Sequence, residues 1–113
     1  MRLFTQTVMR RVGYEFDLAS DAEKYHRSHN LLVALFQKHA IMKGSCSIPY
    51  YWSPTILRLT KEILKVDEEV VLKDIDDING KLKVDYFASH VAYEIDIDEL
   101  IRTTQNSLDR ITH

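Results

Sequence analysis

The dipeptide Asn79–Gly80 constrains the fold of this chain more than any other feature of its sequence. Both central positions of a two-residue hairpin turn require positive φ, which asparagine and glycine adopt at little cost. Two segments that contain apolar residues flank the dipeptide, Val70–Ile78 before it and Lys81–Phe87 after it, and the second of them alternates apolar with polar residues. The sequence therefore predicts an antiparallel β-hairpin over these two segments.

The turn also predicts which residues of the hairpin face each other. In the resulting register the pairs are Ile75 with Val84, Asp76 with Lys83, and Asp74 with Asp85. The last pair opposes two like charges, which counts against the strand, and Val66–Ile78 also has a helical interpretation that begins at Asp67 and ends at Asn79–Gly80. We favour the strand because Val70–Leu72 has β character.

Two further segments alternate apolar and polar residues with the period of a strand. Val12–Leu18 predicts a half-buried strand, and Val91–Ile97 predicts a strand that follows Lys81–Phe87 after a short link and lies antiparallel to it. Met1–Arg11 fits either a helix or a strand, and we favour a strand that continues into Val12–Leu18. These segments bring the predicted sheet to about four strands.

The first of three predicted helices is central to the core. Ser20 and Glu23 form a capping box, so this helix should begin at Asp21 and end at Lys43–Gly44. Its middle, Leu31–Phe36, is apolar on all sides. It must therefore be covered on more than one side, by the sheet, a second helix or a partner chain.

Two more helices follow from capping signals. The second should begin at Ser53–Pro54, where the missing N–H of proline costs nothing, and end near Lys65. The third should begin at Asp96 or Asp98 and carry an apolar stripe to Ile111. The predicted order of elements is therefore β-α-α-β-β-β-α.

This order describes an α+β protein, with a small antiparallel sheet of about four strands and three helices packed largely on one face. The chain has 113 residues, of which 45% are hydrophobic and 28% charged, so we expect a single compact domain over residues 1–113. No stretch is long and apolar enough for a membrane span, and the N-terminus lacks the features of a signal peptide. We expect a cytoplasmic protein without membrane association.

Charge is divided unevenly along the chain. Residues 1–65 carry ten Lys and Arg against five Asp and Glu, whereas residues 66–113 carry five against twelve, so their formal charges are +5 and −7. A basic face can meet nucleic acid and an acidic face a basic partner, although most such charges belong to ordinary solvated faces. The single cysteine, Cys46, excludes an internal disulfide and a multi-cysteine zinc site, and it indicates a reducing compartment.

The aromatic segment Tyr50-Tyr51-Trp52 is the strongest candidate binding site. Three successive amphipathic aromatic residues in a proline-bearing loop cannot all point inward, and Tyr and Trp are the residue types that dominate binding hot spots. Arg58 and Lys61 follow in the sequence and would make the region basic. Trp52 could instead attach the loop to the second helix, so the prediction depends on the exposure of these rings. We expect Tyr50, Tyr51, Trp52, Arg58 and Lys61 to form a binding surface.

These features favour a small non-enzymatic protein that binds or regulates another protein, such as an adaptor, an inhibitor or an immunity-type domain. The contact would be made by the aromatic loop or by an acidic edge of the sheet. The open surfaces also favour a homodimer, because two-fold dimers are the commonest closed assembly.

Two alternatives come from other classes of protein. A nucleic-acid-binding protein would use the cations of the basic half, which are Arg2, Arg10, Arg11, Arg58, Lys61 and Lys65. A small enzyme would use Cys46 or His90, although no acid partner or nucleophile-elbow pattern accompanies them. His26 and His29 are too few for a metal site by themselves, so we expect no metal and no cofactor.

Overall fold

The computed structural model describes residues 12–39 and 41–111, with side chains from residue 22 onward. This part of the chain contains three α-helices and one three-stranded sheet. The elements are α1 Val12–His39, β1 Cys46–Ser47, a 3₁₀ turn Tyr50–Trp52, α2 Ser53–Val66, β2 Val71–Ile78, β3 Lys81–Phe87 and α3 Ala92–Ile111. The predicted α+β class with three helices is confirmed.

The β2–β3 hairpin has the register that the turn predicts. Ile75 pairs with Val84, and the two strands are antiparallel along their length. Asn79 and Gly80 have φ values of 56° and 87°, so the turn occupies the left-handed region that this dipeptide favours. The helical interpretation of Val66–Ile78 is therefore wrong.

The predicted pairing of Asp74 with Asp85 is also present, and the structure shows how the like charges are accommodated. A register shift between Leu72 and Asp74 distorts β2 next to this pair. The Asp74 carboxylate accepts a hydrogen bond from the Ser45 backbone N–H at 3.0 Å, and Asp85 lies 3.8 Å from the Lys83 ammonium. Each carboxylate thus has its own partner.

Within the described residues the sheet is mixed and three-stranded, with the order β1-β2-β3, whereas the sequence predicted about four antiparallel strands. β1 is a two-residue strand that pairs parallel to β2, with Cys46 opposite Ile75. Pairing extends back to an isolated bridge between Met42 and Leu72. No local sequence pattern predicts β1, because this short strand is held by pairing with β2, about 30 residues further along the chain.

Gly44 allows the β1 segment to follow the distorted part of β2. A Cβ atom at this position would collide with the backbone carbonyl oxygen of Lys73 and would also reach the Asp74 carboxylate. On either side the backbones are joined, by Leu72 N–H to the Ile41 carbonyl at 2.8 Å and by Ile75 N–H to the Ser45 carbonyl at 3.0 Å. Glycine is required here by close approach, and it does not serve as the end of the first helix.

The first predicted strand, Val12–Leu18, is wrong because these residues belong to α1. Ser20 therefore lies inside the helix and does not cap it. Neither proline nor glycine interrupts the sequence from Tyr14 to His39, so a helix that forms in the later part can extend backward without a break. The predicted strand over Met1–Arg11 lies outside the described residues.

The predicted strand over Val91–Ile97 is also wrong, because most of these residues belong to a helix, α3, which begins at Ala92. The Ala92 N–H donates to Nδ1 of His90 at 3.1 Å, which satisfies one of the donors at the start of the helix. The carboxylate of Glu94 also lies in the first turn, where a negative charge interacts favourably with the helix dipole. Only Ile97 of the alternating apolar residues is buried.

α2 lies between the other two helices, because it packs against both α1 and α3. One face of the sheet joins this helical layer, through the buried side chains of Leu72 and Ile75. The opposite face carries exposed residues, including Ile78 and Phe87. The buried core is formed by Leu32, Phe36, Ile41, Trp52, Ile56, Leu57, Leu59, Ile63, Val70, Leu72, Ile75, Ile97 and Leu108.

A buried carboxylate holds the end of α2 against the start of α3. Asp67 follows α2 and accepts hydrogen bonds from the Ser89 hydroxyl at 2.6 Å, the Ser89 N–H at 2.7 Å and the Glu69 N–H at 3.0 Å. Burial by itself raises the pKa of Asp67, but the hydrogen bonds from Ser89 and Glu69 outweigh it and leave the pKa below its ordinary value. Asp67 is therefore a charged structural group.

Candidate binding groove

The structure separates the three aromatic residues of the predicted binding loop. Tyr50 and Tyr51 keep 46% and 40% of their surface exposed, whereas Trp52 is completely buried, with an exposed fraction of 0%. The segment forms a 3₁₀ turn, in which successive side chains point about 120° apart, so one ring of three is directed inward. The expectation that Trp52 offers contact surface is wrong, because its indole is part of the core.

Tyr50 is exposed but occupied by contacts within the chain. Its hydroxyl lies 2.9 Å from Nδ1 of His26, and its ring lies 4.8 Å from the His29 ring, measured between centroids. Both histidines belong to α1, so this contact holds the aromatic turn on that helix. Of the predicted aromatic surface, Tyr51 retains exposure without a contact of this kind in the described part of the chain.

The predicted cations of α2 lie on its exposed side. Arg58 and Lys61 are exposed, and Lys65 continues the same stripe one turn later. Lys65 forms an ion pair with Glu62 at 3.2 Å, and both side chains are well exposed. The structure thus places Arg58 and Lys61 on α2, along the helix from the aromatic turn, and Lys61 also lines a groove that the sequence did not predict.

An apolar groove lies between α1 and α2. Its volume is about 200 Å³, and it is open to solvent. Lys61 and Leu57 line it from α2, and residues of two successive turns line it from α1. The α1 residues are Leu31, Ala34, Leu35 and Lys38.

The spacing of the α1 residues explains the shape of the groove. Leu31, Ala34, Leu35 and Lys38 stand at positions i, i+3, i+4 and i+7, so they share one face of the helix. Ala34 is the smallest of them and leaves space between larger neighbours. Leu31 remains 51% exposed at the groove, although it belongs to the apolar stretch that was expected to be covered.

Lysines flank the apolar floor from both helices. Lys38 stands on α1 and Lys61 on α2. Among the described residues, no carboxylate forms an ion pair with either ammonium group. The groove therefore combines apolar surface with two unneutralised positive charges, and it suits an apolar ligand that carries negative charge.

The two helices run in the same direction. Tyr50, which immediately precedes α2, contacts the segment of α1 around His26 and His29. Further along both helices, Lys61 of α2 and Lys38 of α1 line the same groove. The aromatic turn and the groove thus occupy successive positions along one helix pair.

The acidic residues of the hairpin have mainly internal contacts. Asp74 accepts from the Ser45 backbone, Asp77 accepts from the Gly80 N–H at 2.7 Å, and Lys83 stands 3.8 Å from Asp85. These carboxylates stabilise the turn and the β1–β2 contact.

The residues considered for catalysis have structural surroundings. Burial, reinforced by the negative charge of Asp76, raises the pKa of Cys46 to about 11, so the thiol holds its proton at neutral pH and the nucleophilic thiolate is scarce. His90 accepts the first N–H of α3 and packs edge-on against Tyr93. In the described ranges no group of three His, Cys, Asp or Glu residues could hold a metal ion.

Comparison with other proteins adds no assignment, because no protein-family model, curated protein or solved structure matches this chain. None of the helices described above is long and apolar enough to span a membrane. Arg2, Arg10 and Arg11, which the nucleic-acid alternative invokes, lie outside the described residues. The α1–α2 groove is a surface of the described chain that can hold a ligand.

Proposed function

We propose that this chain is a non-enzymatic protein-interaction domain that binds an acidic, amphipathic helix of a protein partner in the α1–α2 groove. The observation that carries the proposal is an open apolar groove flanked by two lysines, Lys38 and Lys61, that have no ion-pair partner among the described residues. Recognition of a helix in a groove relies on apolar anchors spaced by one turn, with polar groups at the rim.

The apolar floor supplies most of the expected affinity. Burying apolar surface contributes about 25 cal/mol per Å², so covering an exposed leucine such as Leu31 contributes roughly 1–2 kcal/mol. An exposed ion pair contributes about 0.2–1 kcal/mol, so Lys38 and Lys61 contribute less individually. Their main effect is to select an acidic partner and to orient it.

Arg58 extends the basic side of this surface along α2, and Tyr51 lies at the preceding turn. A partner longer than the groove would reach these residues. The sequence-predicted residues Tyr51, Arg58 and Lys61 thereby keep a place in the proposed binding surface. Tyr50 and Trp52 hold the turn in place instead.

The test uses the full chain labelled with ¹⁵N and a designed helical peptide that has leucines at i, i+3, i+4 and i+7 and glutamates on its other faces. We expect amide shifts to change at Leu31, Ala34, Leu35 and Leu57. Replacing the glutamates by lysines should abolish binding. Absence of shifts in these residues at millimolar peptide would contradict the proposal.

Two variants and a control show which forces act. Leu31→Ser removes apolar contact and should weaken peptide binding about tenfold, because about 1.4 kcal/mol corresponds to a factor of ten. Lys38→Glu with Lys61→Glu should weaken it about tenfold or more, because attraction becomes repulsion at two positions. Lys81→Glu, at the exposed first residue of β3, is a charge-reversal control away from the groove and should have no effect.

Nucleic-acid binding through the same cations makes a different prediction. Phosphate contacts depend steeply on salt and do not require an apolar floor. A single-stranded oligonucleotide that binds Leu31→Ser as well as the original chain, but loses affinity when Lys38 and Lys61 are reversed, would favour that function. We expect the peptide to depend on Leu31 and the oligonucleotide not to bind.

A further inference from the structure

The start of α3 presents an exposed apolar pair. Val91 is 71% exposed and Ile95 is 76% exposed, the two highest values among the large hydrophobic residues that the structure describes. Val91 is the residue immediately before α3, and Ile95 lies in the first turn of that helix. A single exposed apolar residue is ordinary, but two this close together at the start of one helix form an apolar stripe.

Carboxylates border this stripe on both sides. Adjacent positions in a helix are about 100° apart, so Glu94 and Asp96 flank Ile95 on opposite sides. Asp98 and Glu99 continue the acidic surface, and all four residues are exposed. The first cation of the helix is Arg102, which pairs with Glu99 at 2.9 Å. The start of α3 is thus an acidic, amphipathic helix end.

This helix end has the complementary pattern to the groove. Ile95 with flanking Glu94 and Asp96 matches an apolar floor that is flanked by Lys38 on α1 and Lys61 on α2. Each surface thus pairs apolar side chains with charge, and the two charges are opposite in sign. The partner chemistry that the groove requires is therefore present on the chain itself.

The α3 stripe does not face the groove of its own chain. Ile97 is buried and lies about 200° around the helix from Ile95, so α3 packs inward through one side and presents Ile95 on the other. α2 also stands between α3 and α1. The contact can be satisfied only by another molecule.

We propose that the partner is a second copy of this chain, and that the start of α3 of each copy occupies the α1–α2 groove of the other. This inference rests on the proposed function of the groove, because it names the occupant. In a two-fold dimer the contact occurs twice, since each copy contributes one groove and one helix end. Both Val91–Ile95 stripes and both grooves are then covered.

The oligomeric state of the full chain, measured by sedimentation velocity over a range of concentrations, tests the inference. We expect a monomer–dimer equilibrium in which Ile95→Asp raises the dimer dissociation constant at least tenfold. Lys38→Glu with Lys61→Glu should raise it at least as much. Ile78→Asp, at an exposed isoleucine of the hairpin, is the matched control and should leave the dimer unchanged. Circular dichroism and melting temperature confirm that each variant is folded.

A charge exchange provides a second, positive test. Adding Glu94→Lys and Asp96→Lys to the chain that carries Lys38→Glu and Lys61→Glu restores opposite charges across the contact. We expect this fourfold variant to dimerise more tightly than either double variant. Failure of the exchange to restore association would overturn the proposed contact, as would a dimer that tolerates Ile95→Asp.

The inference and the proposed function fail in different ways. A chain that stays monomeric at all concentrations but binds the acidic peptide in its groove overturns the self-association and leaves the groove function intact. A dimer that is broken by Ile95→Asp but insensitive to Lys38 and Lys61 also overturns the inference, because α3 then docks elsewhere. A chain that neither dimerises nor binds the acidic peptide overturns both the self-association and the proposed function of the groove.

Discussion

Two regions along the α1–α2 pair, the aromatic turn and the groove, differ in how they use apolar side chains. In the turn, Trp52 is completely buried in the core, and the Tyr50 ring packs against the His29 ring. In the groove, Leu31 stays half exposed and Lys38 has no ion-pair partner among the described residues. The turn is committed to holding the fold together, whereas the groove retains surface for another molecule.

This difference shows that residue type alone does not identify a binding surface. Aromatic residues are typical of binding sites and equally typical of cores, because both environments favour large rigid rings. The informative observation is an apolar group that remains exposed beside unpaired charge. In this chain that description fits Leu31, which lines the same groove as Lys38 and Lys61, and it does not fit Trp52.

The largest effect we expect is on the free energy of unfolding, which a substitution in the aromatic turn should lower far more than a substitution in the groove. Trp52→Ala removes a completely buried indole, and large-to-small substitutions of buried aromatic residues cost about 3–5 kcal/mol. We expect the free energy of unfolding, measured with urea, to fall by about that amount. Leu31→Ser should change it by less than about 1 kcal/mol, because the leucine is half exposed. The opposite ranking would show that the groove, and not the turn, supports the core.

The Asp67 carboxylate gives the next largest effect and depends on pH. Asp67→Ala leaves the donors of Ser89 and Glu69 without their acceptor, so we expect a loss of about 2–3 kcal/mol at pH 7. Glu68→Ala, at the exposed neighbouring residue, is the control and should be nearly neutral.

The sign of the pH dependence follows from the lowered pKa of Asp67. A carboxyl whose pKa is lower in the folded chain than in the unfolded chain contributes stability that is fully present above the unfolded value, here 3.8. That contribution is lost as the pH falls from there through the folded pKa. We therefore expect the stability difference between Asp67→Ala and the original chain to shrink in acid. Peptide binding at neutral pH should be unchanged, since Asp67 does not line the groove.

The parts of the fold that sequence predicts well are those with local chemistry. Asn79–Gly80 predicts the hairpin turn and its register, because the positive φ values that close the turn set the strand pairs as far as the irregularity between Leu72 and Asp74. Ser53–Pro54 predicts the start of α2 because proline fits the first helical turn. In both places a few neighbouring residues decide the structure.

The sequence predicts two kinds of element poorly: strands whose pairing partner is distant in the chain, and segments whose apolar residues alternate like a strand although they fold as a helix. Val91–Ile97 alternates like a strand, yet three of its apolar residues are exposed, so the alternation does not reflect burial. A short, partly polar segment joins the adjacent helix because extending a helix needs no new nucleus. The strand Cys46–Ser47 carries no local signal, because its position is fixed by contact with β2.

The candidate site was predicted in part. Lys61 and Arg58 were singled out as exposed cations of α2, which is where the structure places them. The apolar wall from Leu31 to Lys38 was missed, although the stretch Leu31–Phe36, apolar all round, already indicated a face that needs a cover. A groove depends on how two helices approach each other, and sequence periodicity does not contain that distance.

The smallest effect we expect concerns the hydroxyl of Tyr50. Tyr50→Phe removes the hydrogen bond to His26 but keeps the ring on His29, and an exposed hydrogen bond contributes about 0.5–1.5 kcal/mol at most. Stability should fall by about 0.5 kcal/mol, and the ring resonances of His26 should shift in the NMR spectrum. Affinity for the acidic peptide should stay within twofold, because Tyr50 belongs to the turn. A tenfold loss of peptide affinity would show that turn and groove form one binding surface, and the contrast between them would then fail.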